Sequence, residues 1–376
     1  MRRLSATKIS LVSVTALAAI ALMECSASAA PAYSIVDIGT LGGSYSVGSG
    51  INDSGEVTGY SFTAGGSQHA FIYDGTMHDL GTLGGTESYG ISVNNSGKVV
   101  GYSQVNGTTH AFLYDGAMVD LGTLPGNYST ALGINSLGQA TGNSLSTGYM
   151  PNQHAVIFNG TGGVRDIGTL GGTYSIGASI NDAGVVTGWS KTNGGSATHA
   201  FLFYDNVMHD LGTLGGDNSF GNRINALGDV TGWSDVAGSG AGHAFLDDGT
   251  MHDLGTLGGT NSIGYGIAAS GTVVGYSDVA GNSSQHGFIW DPTNGMQDLN
   301  NLIDPRSGWT IYSGDGINAD GQILAYGYNP SMGHAQALLL NPLRVAVPEP
   351  SSMILFGSGM LGLCLTRRSR RRTNAH

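Results

Sequence analysis

Asp79-Leu-Gly-Thr-Leu-Gly-Gly85 decides the architecture of this chain, because the chain writes it again and again. The phrase returns intact at Asp210 and Asp253, with Ile for the first Leu at Asp37 and Asp166, and with Pro125 in place of a Gly in the copy that starts at Asp120. A worn copy, Asp298-Leu-Asn-Asn-Leu302, comes last. Successive copies are 42, 41, 46, 44, 43 and 45 residues apart. A period this regular means that one supersecondary unit is repeated, in a stack or in a ring.

One unit can be read outward from the copy at Asp37. After the Gly-Gly come Ser46-Val-Gly-Ser-Gly-Ile-Asn52, the turn Asp53-Ser54-Gly55, and Glu56-Val-Thr-Gly-Tyr-Ser61. A variable loop then leads to His69-Ala-Phe-Ile-Tyr-Asp-Gly75, and Met77-His-Asp-Leu80 opens the next copy. Segments of four to seven residues rich in Val, Ile, Tyr and Phe, punctuated by Gly, Asn and Asp, predict short β-strands joined by tight turns. No helical period of apolar residues stands out between the chain ends. The expected columns run down the chain. Asn ends the first strand at Asn52, Asn94, Asn135, Asn181, Asn225 and Asn318, with Ala268 the exception. Gly sits in the second strand at Gly59, Gly101, Gly142, Gly188, Gly232 and Gly275, with Ala325 last. His opens the third strand at His69, His110, His154, His199, His243, His286 and His334.

Seven units of about 43 residues, each with four strands, predict an all-β fold, a seven-bladed β-propeller whose blades are four-stranded sheets. The phase supports a closed ring. The chain enters at Tyr33-Ser-Ile-Val-Asp37, a fourth-strand equivalent, and leaves the repeats in a third strand at residues 334–340. The N-terminal strand can then complete the last blade and hide both edges. An open β-solenoid is the alternative, and it would want capping units at its ends. His-Ala-Phe at the third strand followed by the Asp-Leu-Gly-Thr-Leu-Gly-Gly phrase resembles the extracellular HAF-repeat family, over residues 33–340. That resemblance implies export and a repeat fold and brings no catalytic residues with it.

Composition narrows the partners. Charged residues are scarce, at 11% of the 376. Between Pro31 and Val347 only Lys98, Arg165, Lys191, Arg223, Arg306 and Arg344 face 24 acidic residues, a net charge of 6 − 24 = −18. There is no basic surface to displace phosphate counterions, so a nucleic-acid partner is excluded. The two cysteines, Cys25 and Cys364, lie outside the repeats and cannot build a disulfide framework within them.

Both ends read as addresses. Arg2, Arg3 and Lys8, an apolar run over residues 9–23, and the small-residue site Ala27-Ser28-Ala29 predict a signal peptide over residues 1–29. After a linker at residues 341–346, Val347-Pro-Glu-Pro-Ser-Ser352 is followed by thirteen mostly apolar residues to Leu365 and then by Arg367, Arg368, Arg370, Arg371 and Arg372. Such a helix is about 20 Å long, short of the ~30 Å hydrocarbon core. The arginines would stay cytoplasmic and leave the repeats outside. Residues 347–372 resemble the PEP-CTERM protein-sorting signal. The resemblance implies that Pro348, Glu349 and Pro350 are read by a membrane transpeptidase, an exosortase, after transient insertion of the tail in the inner membrane. It further implies delivery to the surface or extracellular polymer of a Gram-negative bacterium.

The chemistry-bearing columns each have a structural and a functional reading. One imidazole per unit at the start of a strand is expected to hydrogen-bond a neighbouring strand or turn, and His78, His209 and His252, just before the repeat Asp, likewise. The repeat Asp (Asp37, Asp79, Asp120, Asp166, Asp210, Asp253, Asp298) is expected to accept backbone N–H bonds at a turn. No cofactor is expected; calcium is the one ion that a ring of carboxylates would hold. Tyr60, Tyr102, Trp189, Trp233, Tyr276 and Tyr326 either pack between blades or form a carbohydrate-stacking platform at one face. No nucleophile elbow, phosphate loop or dinucleotide motif occurs. A glycosidase would need two unique carboxylates at one mouth. Only the last unit departs from the pattern, at Asp304-Pro-Arg-Ser-Gly-Trp309 and Asp315, and a special site is expected there if anywhere. The leading expectation is a non-enzymatic surface or matrix protein that binds exopolysaccharide or other surface proteins; the alternative is an extracellular carbohydrate-active enzyme.

Overall fold

The computed structural model describes residues 31–147, 152–160, 163–238 and 240–343. Its strands pair into seven four-stranded antiparallel sheets, and six of them are contiguous in sequence. The first blade is typical: Gly42–Ile51, Val57–Thr63, Gln68–Tyr73 and Met77–Asp79, each strand paired with the next. The seventh joins Thr310–Ile317, Ile323–Asn329 and His334–Pro342 to the N-terminal strand Tyr33–Asp37. That last pairing runs from Tyr33 opposite Pro342 to Asp37 opposite Leu338. The ring is therefore a closed seven-bladed propeller, not an open solenoid: His334–Pro342 is covered, and Tyr33–Asp37 takes the outer place that the fourth strand holds in the other blades.

The first strand of every blade is innermost, and first-strand residues of all seven blades line the central channel. The fourth strand is outermost and mostly exposed, as at Met77–Asp79. The core lies between blades. Phe71, Phe112, Phe201, Phe245 and Phe288, at matching places in five blades with Val156 at that place in the third, are fully buried. Phe112 of the second blade packs with Ala70 and Leu80 of the first, and Phe245 of the fifth with Ala200 of the fourth. Each such ring contributes about 1.5–3 kcal/mol by leaving water. The strand-period alternation thus supplies one apolar face per blade for its neighbour.

The second-strand glycines are dictated by that packing. A Cβ on Gly101 would stand 1.8 Å from the Tyr89 carbonyl oxygen, and one on Gly59 would stand 1.9 Å from that of Val47. The seventh blade, which carries Ala325 in this column, has its second register shift between Ile311 and Ser313, next to the Gly314 that faces Ala325, whereas the first blade's falls earlier, between Gly42 and Ser46. That bulge moves the opposing backbone and makes room for the methyl group.

Among the described residues, no helix is long and apolar enough to cross a membrane. The expected signal peptide with Ala27 and Ala29, and the tail with Pro348, Glu349, Pro350 and the apolar run after them, lie outside the described residues.

Candidate functional site

The repeated acid is a joint. Asp79 ends the outermost strand, and its carboxylate accepts from the Gly81 N–H at 2.8 Å and from His69 Nδ1–H at 2.8 Å. The same imidazole–carboxylate contact joins His110 to Asp120, His154 to Asp166, His199 to Asp210, His243 to Asp253 and His286 to Asp298, at 2.6–2.9 Å. Next along the chain, Thr82 Oγ1 donates to the Gly85 carbonyl and accepts from the Gly84 N–H, so the Gly-Gly turn is tied down from within. Ser88 then staples blades together: its fully buried hydroxyl accepts from Ala70 N–H of the preceding blade at 2.8 Å and donates to the Gly81 carbonyl. Ser129, Ser175, Ser219 and Ser262 do the same.

The structure corrects one member of the His column. In the first blade His69 lies opposite Ser61 and Ala70 opposite Tyr60; in the seventh, Ala337 lies opposite Tyr326 and Gln336 opposite Gly327. The equivalent of His69 is therefore Gln336, and His334 sits two residues earlier, bonded to Gln336 Nε2. The His-Ala pair at His334 looks like the motif in sequence, but strand register decides the position. His78 and His252 pair with Asp74 and Asp248, at 3.1 and 3.0 Å, while His209 stacks on Tyr204. Among the described residues, no three His, Cys, Asp or Glu side chains gather as a metal cluster.

The Asn column forms a second ring, complete but for one link, at one mouth of the channel. Asn52 Nδ2 donates to the Asn94 carbonyl at 3.0 Å, Asn94 to Asn135, Asn135 to Asn181, Asn181 to Asn225 and Asn225 to Ala268. Asn318 completes the circuit by donating to Asn52 at 3.0 Å. The only missing link is from Ala268 to Asn318. Each Oδ1 also folds its own turn; that of Asn94 accepts from Ser96 and Lys98 N–H.

The opposite mouth opens a chamber of about 940 Å³, within the range of small-molecule sites. Every first strand carries a β-bulge two residues before its last pair, as between Gly48 and Gly50. The extra residue faces the channel. These seven residues are Ser49, Ile91, Leu132, Ala178, Asn222, Tyr265 and Asp315, and all of them line the chamber. Bulges re-aim side chains in this way. Around them stand Tyr60, Trp189, Tyr276 and Tyr326 of the expected aromatic set, joined by Tyr312. The set also packs between blades: the Tyr60 and Tyr89 rings are 4.9 Å apart, and those of Trp189 and Phe220 are 5.7 Å apart. Tyr102 and Trp233 serve only this second purpose, stacked on Tyr89 and Phe220.

Two charges enter the chamber. Burial pushes the Asp315 carboxyl up to about 7, against the downward pull of the bond it accepts from Ser313 Oγ at 2.8 Å. Burial likewise lowers the Arg223 guanidinium from its ordinary range. Arg223 reaches across the channel from the fifth blade and donates to the Ser49 carbonyl of the first at 3.0 Å. It borders both the aromatic chamber and the Asn-ringed mouth, and so forms the floor between them. Desolvation also raises Tyr60, Tyr276 and Tyr326, which stay neutral phenols. Of the departures in the last unit, Asp315 lines the chamber. The insertion does not: Asp304 caps the short 3-10 turn Pro305–Ser307, pairs with Arg306 and lines neither mouth.

Sequence reading missed Arg223 and Tyr265 as site residues, although a signal for Arg223 exists. It occupies the position that pairs with Thr231, and the equivalent places in the other blades hold Gly50, Ser92, Gly133, Ser179, Gly266 and Gly316. One arginine in a column of Gly and Ser marks a special place.

Fold and chamber together define the class: a seven-bladed propeller closed by its N-terminal strand, with a ligand-sized hollow at one mouth. A family described as a protein of unknown function (DUF3466) matches residues 126–341, and the chain belongs to that family. The PEP-CTERM protein-sorting motif matches residues 346–371, which implies export and recognition by an exosortase. No curated protein matches the chain. Among solved structures, the β-propeller domain of the trilobed protease from Pyrococcus furiosus is similar at 11% identity and TM-score 0.50, covering 68% of this chain and 84% of that one. That domain is described as having an open velcro topology, unlike the strand-closed ring here. TolB from Acinetobacter baumannii is similar at 14% identity and TM-score 0.38, over 66% of this chain and 64% of that one. At 11% identity the likeness to the trilobed protease domain shows the fold alone.

Proposed function

We propose that this exported propeller is a non-enzymatic surface or extracellular-matrix protein that binds saccharide in its aromatic chamber and so anchors or scaffolds exopolysaccharide. The observation that carries the reading is the convergence of seven bulge residues and five aromatic rings on one 940 Å³ hollow. Aromatic faces with a few polar groups suit a sugar ring, whose C–H face stacks while its hydroxyls seek hydrogen bonds. In this account residues 1–29 are a signal peptide cleaved at Ala27-Ser28-Ala29, residues 33–340 are the HAF-type repeat body, and residues 341–346 link it to the sorting signal at 347–372. An exosortase reads Pro348, Glu349 and Pro350 while the tail is transiently inserted in the inner membrane of a Gram-negative cell, and the body reaches the surface or matrix. Other surface proteins are further partners of the exposed loops.

The alternative, a carbohydrate-active enzyme on the same scaffold, would draw on Asp315, whose carboxyl is held near neutrality as a general acid requires. A two-carboxylate mechanism needs a second acid, and Asp315 is the only carboxylate among the described residues that line the chamber. Incubating the purified chain with a panel of bacterial polysaccharides separates the two. Retention of polysaccharide without new reducing ends is expected; bond cleavage would sink the binding reading. For the tail, Glu349→Gln is expected to leave the protein membrane-held, and unchanged release would count against sorting.

A further inference from the structure

Arg223 is the cation on the chamber floor, and it is under-used. A guanidinium offers five N–H donors in a rigid fork; the structure gives it one acceptor, the Ser49 carbonyl at 3.0 Å. Among the described residues no carboxylate lies within ion-pair distance of it. The other charge in the chamber, Asp315, is not among the causes that shift Arg223, and burial holds it toward the neutral acid. A half-buried cation with no counter-charge is costly to keep in a structural role. The sister blades do without it, with Gly or Ser at that place, and the first strands still pack.

We propose that Arg223 is a specificity-determining residue that selects acidic saccharides: the aromatic wall takes the sugar ring, and the guanidinium takes the carboxylate of a uronate. The inference rests on the saccharide-binding reading above and names the substrate class. Its geometry fits the charge-assisted, bidentate pairing that guanidinium and carboxylate favour. The source of the preference must be local. The body carries about −18 at neutral pH, with 24 acidic against six basic residues, so the protein as a whole repels a polyanion. Among the described residues, Arg223 is the only basic one that borders the chamber.

The test compares tetragalacturonate with its carboxyl-reduced, neutral counterpart, by isothermal titration of the purified full-length chain and of Arg223→Gln and Arg223→Ser. Ser is the residue that Ser92 and Ser179 place in two sister blades, so the second variant keeps a side chain the fold already uses. The wild type is expected to bind the uronate at least about tenfold more tightly than the neutral oligomer, a difference of about 1.4 kcal/mol. Both variants are expected to bind the two oligomers within about twofold of each other, the loss falling mainly on the uronate. Equal binding of the two by the wild type would overturn this inference and leave the saccharide reading intact. A preference that persists in both variants would do the same. Binding of neither oligomer would sink both.

Discussion

The joint at Asp79-Leu-Gly-Thr-Leu-Gly-Gly85 and the bulge at Ser49 are both repeated seven times, and they behave oppositely. At the joint the residues hardly change from blade to blade outside the worn copy at Asp298 and Pro125, because most of them are committed. The Asp holds a turn N–H and an imidazole, the Thr ties the Gly-Gly turn, and the following Ser spans two blades. At the bulge the residue is Ser, Ile, Leu, Ala, Asn, Tyr or Asp. The backbone there needs only an extra residue, not a particular one, and the side chain faces open space. Uniformity marks where the repeat builds itself; variation marks where the ring is free to fit something else.

The comparison can be broken at its rigid side first. Gly101→Ala puts a Cβ 1.8 Å from the Tyr89 carbonyl oxygen and is expected to cost about 3 kcal/mol or more, or to prevent folding. A loss below about 1 kcal/mol in denaturant unfolding would show that a blade other than the seventh can also shift its backbone. Next, Asn94→Ala removes a donor to Asn135 and an acceptor for two turn N–H groups, with an expected loss of about 2–3 kcal/mol. The reverse change, Ala268→Asn, would supply the missing link to Asn318, and a gain of about 1 kcal/mol is expected. If the variant is no more stable, the Asn circuit is local turn chemistry and not a ring.

Asp315 sharpens the other side. An unfolded carboxyl titrates near about 4, whereas burial pushes the folded one up to about 7. The folded state therefore holds this proton more tightly. Its contribution to stability is whole below about pH 4, declines as pH rises, and is gone above about pH 7. Asp315→Asn should lose that dependence, so its melting temperature relative to wild type should be higher at pH 8 than at pH 5. No change in the difference between the two pH values would contradict the upward shift of the Asp315 carboxyl. The smallest effect is expected at the bulge itself: Ser49→Ala should change stability by no more than about 0.5 kcal/mol.

Much of this was legible in the sequence, for reasons that the contrast explains. The phrase at Asp79 and the columns of Asn and Gly are uniform because backbone geometry demands them, so counting them predicts seven blades, four strands each, and closure at Tyr33–Asp37. His334 misled because a two-letter match ignores register, and Gln336 occupies the place by strand pairing. Asp315 was visible as an oddity in the worn unit. Tyr265 was not, because the bulge that turns it inward is a backbone event that leaves only a variable position in the sequence. Arg223 left a plain mark, a large cation among Gly50, Ser92, Gly133, Ser179, Gly266 and Gly316, which becomes readable once the bulge sets the alignment. The nature of the ligand has no counterpart in the repeat, since the residues that would touch it are those the repeat does not constrain.

We propose that the bulge-lined chamber, and not the outer joints, is where this propeller meets its ligand. The most direct test is a tryptophan-fluorescence titration of the purified chain with the retained polysaccharide, comparing wild type with Tyr265→Ala in the chamber and His78→Ala on the outer edge. Trp189 lines the chamber and reports occupancy. Saturable binding that falls at least about tenfold in Tyr265→Ala, about 1.4 kcal/mol, and is unchanged in His78→Ala is the predicted result. Binding that survives Tyr265→Ala but is lost with His78→Ala would contradict it.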